Sequence, residues 1–210
     1  MNTLKAEKRD MAIKAKRLRR EGYVTGNVFG KEIEGSIPIK IEKSAADRLL
    51  KTSGKGSQVM LDVDGQAMDV LIKEINFNPL KGQIDEIDFQ ALVKGEKVNS
   101  VAEIVLVNYE KVMSGVLQLL LEEISYRALP DNLVERVSVD VGDLKVGESI
   151  KVGDLDIAKN ENIDLLTDPE AIIVTVSESR NDIPEEDTEE ADSADARKGS
   201  SKSTEKGLTP

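Results

Sequence analysis

Two runs of alternating apolar residues meet at Asp64-Gly65: Val59, Leu61 and Val63 precede it, and Met68, Val70 and Ile72 follow. Period-two alternation gathers each apolar set on one face of an extended strand, and Asp-Gly supplies the backbone angles of a two-residue turn. A β-hairpin is therefore the firmest element in the chain, and other strands must pair with it to bury its apolar face.

Candidates for those strands lie on both sides. Tyr23 to Phe29, interrupted by Gly26 and followed by Gly30, reads as a strand with one close backbone approach. Ile37, Ile39 and Ile41 alternate with Pro38, Lys40 and Glu42 in a half-buried strand, which Pro38 places at a sheet edge. Past the turn residues Asn78-Pro79 and Gly82, Ile84 to Ala91 carries Ile87 and Phe89 on one face and Glu86, Asp88 and Gln90 on the other. Two helices are expected. The first runs from about Asp10 to Glu21, with Met11, Ile13 and Leu18 on one side, Lys and Arg on the other, and Gly22 as its stop. The second starts at Ser44 with Asp47 closing a capping box, carries Leu49 and Leu50, and ends at Gly54.

The polar stretch Lys94-Gly95-Glu96-Lys97 marks a candidate boundary, after which a second β-rich region follows. Its expected strands are Ala102 to Val107, Ile124 to Ala128, Val134 to Val141, Ser149 to Val152 and Ala171 to Val176, punctuated by Pro130, Gly142, Gly147 and Gly153. The phrase Val-Gly-Asp-Leu, at Val141 and again at Val152, reads as two similar turns within one β domain. From Asn181 onward large apolar residues nearly vanish, and such a segment cannot bury enough surface to offset its ordering entropy. The expectation is a mainly β (α+β) fold with short helices: a domain over 1–94, a second β domain over 95–180, and a disordered acidic tail over 181–210.

With neither cysteine nor histidine, the chain has no disulfide, thiolate metal site, Cys nucleophile or imidazole acid–base step. Most enzyme mechanisms close at that point. The opening Met1-Asn2-Thr3-Leu4-Lys5 lacks the apolar stretch of a secretory signal, and no apolar run reaches the roughly 20 residues that span a bilayer, so a soluble cytoplasmic protein is expected.

The net charge of −11 conceals its distribution. Residues 1–30 hold eight Lys/Arg against three acids, whereas residues 95–180 hold eight against 17. A basic helix face is ordinarily just solvated; confined to the head of an acidic molecule, it becomes a candidate for neutralising backbone phosphates. Only six aromatic residues are present, which disfavours a single-strand reader built on stacking and favours one that reads the shape of a folded RNA helix. For Phe29 and Phe89 a core position is the simpler reading. Gly22, Gly26 and Gly30 with Lys31 fail the phosphate-loop pattern, because the spacing is wrong and Glu32 stands where Ser or Thr is needed. The acidic groups Asp62/Asp64, Asp85/Glu86/Asp88 and Asp154/Asp156 match no calcium-loop pattern and have no partner placed beside them by the sequence. A carboxylate-dependent hydrolase is thus a weak rival.

The run Arg9 … Lys16-Arg17-Leu18-Arg19-Arg20-Glu21-Gly22-Tyr23-Val24-Thr25-Gly26-Asn27-Val28-Phe29-Gly30, followed by Ile72-Lys73-Glu74 … Asn78-Pro79 … Gly82 … Ile87-Asp88-Phe89, resembles the bacterial large-subunit ribosomal protein twenty-five in its two-domain form, also called general stress protein Ctc. The resemblance continues through Gly115-Val116-Leu117, Ala128-Leu129-Pro130, Val137 to Leu144 and Gly147 to Leu155, and so covers about residues 1–178. It implies an N-terminal β-barrel bound to 5S ribosomal RNA and a C-terminal β domain packed elsewhere on the ribosome. By position it implies that Arg9, Arg17, Arg19, Phe29, Lys73 and Asp88 contact RNA or shape the contact surface. Lys14, Lys16, Arg20, Gly26 and Glu86 complete the expected RNA-facing set. The expected partners are 5S rRNA and the large subunit with its proteins, with no cofactor, DNA or membrane. Four positions depart from the family pattern: Lys16 stands for Arg, Thr25 for Pro, Phe29 for Tyr, and Glu86 for His. Glu86 matters most, because an anion facing phosphate repels it unless it points away or pairs with a nearby Arg. The alternative reading is a ribosome-associated stress protein that docks through protein contacts with weakened RNA affinity.

Overall fold

The computed structural model describes residues 3–112 and 115–178; the expected disordered tail lies outside them. The Asp64-Gly65 turn joins β4 (Gln58–Val63) to β5 (Gln66–Asn78), and both turn residues have positive φ, 52° and 89°, as such a hairpin requires. Around this hairpin closes a six-stranded barrel. Its other strands are β1 (Thr3–Lys8), β2 (Tyr23–Phe29), β3 (Ser36–Glu42) and β6 (Gln83–Ala91), in the order β1-β3-β2-β6-β5-β4. The pairs β1–β4 and β2–β6 are parallel and the others antiparallel. Val24, Val28, Ile39, Ile41, Leu61, Ile72, Ile87 and Phe89 fill the interior.

Gly26 is the close approach expected of it: a Cβ there would stand 2.0 Å from the Ile87 carbonyl oxygen, so only glycine lets β2 lie against β6. Phe89 is core, but Phe29 is half-exposed on the outer face, against the expectation of burial. Pro38 is also not at an edge, since β3 lies between β1 and β2. Its carbonyl accepts the Arg9 N–H at 2.9 Å, and β1 ends at Lys8, so the missing proline N–H falls beyond the ladder.

The helices differ from expectation too. The first, α1 (Ala15–Arg20), is six residues long, because Asp10 to Ile13 form a turn in which the Asp10 carboxylate accepts the Ala12 N–H. Leu18 alone is buried; Met11 is 68% exposed. The second, α2 (Lys43–Thr52), begins one residue early with Glu42 at its cap, and the Ser44 hydroxyl donates to Glu42 instead of capping. Ala46 and Leu49 of α2 join the barrel core.

The second β domain holds β7 (Val98–Val107), β8 (Val116–Leu119), β9 (Glu123–Ala128), β10 (Arg136–Asp140), β11 (Ser149–Lys151), β12 (Ile163–Leu165) and β13 (Ile172–Ser177). They form a four-stranded sheet, β10-β7-β9-β12, and a three-stranded one, β11-β13-β8. Between the strands, Ile124, Tyr126, Ile173 and Val174 are fully buried. The Tyr126 hydroxyl donates to the Val134 carbonyl at 2.8 Å and accepts its N–H at 2.7 Å, which satisfies the polar end of the largest buried side chain. The two Val-Gly-Asp-Leu phrases do form similar turns: the Leu144 N–H meets the Val141 carbonyl and the Leu155 N–H the Val152 carbonyl, each at 3.2 Å. Barrel and second domain meet at Gly56, where a Cβ would stand 2.0 Å from the Val101 carbonyl oxygen. The described residues form one compact unit.

Candidate nucleic-acid interface

Leu18, 3% exposed, pins α1 to the barrel and turns the helix's cations outward. Arg17, Arg19 and Arg20 occupy the last turn, where positive charge complements the carbonyl end of the helix. Gly22, at φ 90°, then ends the helix and starts β2. Lys14, Lys16 and Arg20 are exposed and have no ion-pair partner among the described residues. Arg17 pairs with Glu21 at 2.9 Å on the surface, an exposed contact that an incoming anion displaces at small cost.

Arg19 reaches across to β6. Its Nε donates to the Asp85 carbonyl at 3.1 Å and its guanidinium lies 3.8 Å from the Asp85 carboxylate, both groups being largely covered. The Thr25 hydroxyl donates to the same carbonyl at 3.3 Å. The Asp85 carboxylate accepts from Gln83 and Asn78, and these two bonds, with Arg19 adding attraction, hold its pKa below the ordinary carboxylate value against the opposing effect of burial. This knot fixes the angle of α1 on the sheet. On the same outer face, Asp88 accepts the Asn27 backbone N–H at 3.0 Å and its side-chain amide at 3.2 Å, locking β2 to β6 beside half-exposed Phe29.

Two expected residues stand apart from that surface. Arg9 is a tether: it donates to the Ile13 carbonyl at 3.1 Å, and its Nε is buried without a hydrogen-bond partner among the described residues. It holds the turn that leads into α1. Lys73, on β5, donates to the Asn99 carbonyl at the start of β7, so it belongs to the junction with the second domain. Glu86 lies opposite Thr25 in the β2–β6 pairing, is half-buried, and has no cationic partner among the described residues. The nearby Arg19 is engaged by Asp85 instead.

Sequence reasoning did not single out Asp85, Asn78, Gln83 and Asn27 as organisers of the surface. Asn78 and Asp85 lie at the two ends of one turn, and that spacing is the signal that could have found them.

The chain folds as a closed barrel bearing an outward basic helix, followed by a second β domain, and comparison with known proteins places it among ribosomal proteins. Residues 4–89 match the Ribosomal L25p family and residues 97–180 match the C-terminal domain of ribosomal protein TL5. Large ribosomal subunit protein bL25 of Dictyoglomus thermophilum is 33% identical over 198 residues, covering 90% of this chain and 95% of the relative. The bL25 proteins of Finegoldia magna (30% over 177 residues, 83% of each chain) and Syntrophomonas wolfei (32% over 179 residues, 82% of this chain and 84% of the relative) agree. The chain belongs to the bL25 family, in its two-domain form, and is a structural rather than enzymatic ribosomal component.

Proposed function

We propose that this protein binds 5S rRNA in the large subunit through α1 and the outer face of β2 and β6, reading a folded RNA helix by shape and phosphate position. The observation that carries the reading is the Arg19–Asp85 knot: it holds α1 at a fixed angle, with Lys14, Lys16 and Arg20 free of ion pairs among the described residues, beside a strand pair locked by Asn27 and Asp88. Arg17, Arg19, Arg20, Lys14 and Lys16 supply the positive charge; Phe29 and Gly26 shape the adjoining face; Arg9 positions the approach to α1. Bidentate guanidinium contacts suit phosphate oxygens, and each neutralised phosphate releases counterions, so affinity falls steeply with salt. Replacing Arg17 and Arg19 by Ala is expected to weaken 5S rRNA binding about tenfold or more and to flatten the log–log salt slope by about 1 to 2. A filter-binding titration across salt checks this; unchanged affinity with an unchanged slope removes the proposal.

One observation favours the second reading, a stress-related ribosome factor of reduced RNA affinity: Glu86 sits on the proposed face without a neutralising cation among the described residues. Under the first reading an anion there opposes phosphate, so Glu86→Gln raises 5S rRNA affinity by roughly threefold to tenfold, a Coulomb effect of about 1 kcal/mol in a wet surface site. No gain from Glu86→Gln, combined with undiminished co-sedimentation of the Arg17→Ala/Arg19→Ala variant with ribosomes, supports docking through protein contacts.

A further inference from the structure

A second cationic cluster lies where the barrel meets the second β domain. A cavity of about 320 Å³ there is lined by Lys31 and Lys73 from the barrel and by Lys97 and Arg127 from beyond it, with Glu96 and Asn99 completing the polar wall. Arg127 is notable because residues 95–180 are strongly acidic, yet this side chain is exposed and has no ion-pair partner among the described residues. Two carboxylates act on the four cations: Glu96 on Lys31, and Asp164 on Lys97 at 2.6 Å. Both pairs are substantially solvent-exposed and exchange readily for a stronger anion. The cluster therefore keeps an excess of two positive charges.

Contacts across the junction set these groups around one cavity. Lys73 donates to the Asn99 carbonyl at 2.9 Å, and Arg127 on β9 is the direct cross-strand neighbour of Asn99 on β7. Lys31 follows Phe29-Gly30 at the end of β2, and Phe29 is paired with Gln90, another residue of the cavity wall. Partial burial, with Lys55 nearby, holds the Lys73 ammonium below the ordinary lysine pKa.

We propose that this junction is a phosphate-binding cleft, in which an Arg127 fork and the Lys31, Lys73 and Lys97 ammonium groups hold one phosphoryl group between barrel and second domain. Two sources offer that chemistry: the backbone of a bound RNA and a free mononucleotide or phosphate ion. The RNA source is the nearer one, because the cleft lies at the far end of the β2–β6 outer face from Arg19; Asp85 and Gln90 are five residues apart, roughly 16 Å at about 3.3 Å per residue. That source rests on the RNA-binding reading above; the cleft itself does not.

The test uses the full chain and two probes. Side-chain nitrogen spectra of Arg and Lys are followed during titration with sodium phosphate against sodium chloride of matched ionic strength. Arg127, Lys73 and Lys97 signals are expected to shift saturably with phosphate only, and to stop doing so in Lys31→Gln/Arg127→Gln. The same variant is then titrated with 5S rRNA across salt. A log–log slope reduced by roughly 1.4 to 1.8, the loss of two phosphate-neutralising charges, assigns the cleft to the RNA backbone. An unchanged slope beside a retained phosphate response assigns it to a small phosphorylated ligand. Absence of both responses overturns the proposal. The phosphate response of Arg17→Ala/Arg19→Ala separates the two readings, since it persists even where the α1 surface has no role in RNA binding.

Discussion

The barrel leaves no strand unpaired, whereas β10, β12, β11 and β8 each end a sheet in the second domain. A closed barrel has no edge to guard, so its outer face is free to carry exposed cations. Open sheets expose N–H and C=O rows that other chains can extend, and charge repulsion is one defence. The charge distribution follows that division: the cations gather in residues 1–30, and 17 acids crowd residues 95–180, around edge strands that still expose Val116 and Leu119. Closure and charge thus separate a closed, cation-bearing half from an acidic, open-edged one, and Lys97 with Arg127 places cations of the acidic half at the seam.

The sharpest way to break this comparison is Gly26→Val. A branched side chain cannot share space with the Ile87 carbonyl, so β2 and β6 must part and the barrel opens, at a cost of about 3 kcal/mol or more. Hydrogen exchange is expected to lose protection throughout β1 to β6 while β7, β9 and Tyr126's surroundings keep theirs. Simultaneous loss in both halves would show that the second domain borrows its stability from the barrel.

Tyr126→Phe probes the other half at smaller amplitude. It removes the hydroxyl that both accepts from and donates to Val134, leaving two backbone groups without their partner, a cost of about 1 to 3 kcal/mol. Thermal unfolding followed by exchange should show the second domain weakened and the barrel unmoved. An unchanged second domain would mean that the Tyr126 hydroxyl bonds contribute nothing net.

How far these halves could be read in advance depended on the range of the contacts that make them. The β4–β5 hairpin was legible because Asp64-Gly65 and its flanking alternation are local. β1 was not, since only Leu4 and Ala6 in a charged stretch turn inward, and the partner β4 that explains them lies 57 residues on. The first helix was drawn too long because its Lys and Arg residues favour helix over the whole stretch, while the Asp10 and Arg9 contacts that cut it short are tertiary or turn-specific. On the interface, cations of α1 were legible as a cluster. Lys73 was not separable from them, because only the folded junction with Asn99 shows where its ammonium goes. Turn spacing tied Asp85 to Asn78, but nothing local told of its hold on Arg19, 66 residues away.

The smallest effect tests the hinge between helix and sheet. Gln83 and Asn78 amides and the Arg19 guanidinium all favour the charged form of Asp85, in that order, so its pKa in the folded protein lies below that of the unfolded chain, about 3.9. A depressed carboxylate stabilises the fold at pH above about 3.9, and that contribution is lost as pH falls through the lower, folded value. Carbon-detected titration of Asp85 should therefore end below about 3.9 in the parent, move upward most in Gln83→Ala, less in Asn78→Ala, and least in Arg19→Ala. The ordering shows which partner dominates at this carboxylate. If Arg19→Ala moved Asp85 furthest, charge pairing would outweigh the amide bonds at this carboxylate and salt would relax it; the expected order instead makes Gln83 and Asn78 its principal partners, while α1 stays tied to β6 through the Arg19 bond to the Asp85 carbonyl.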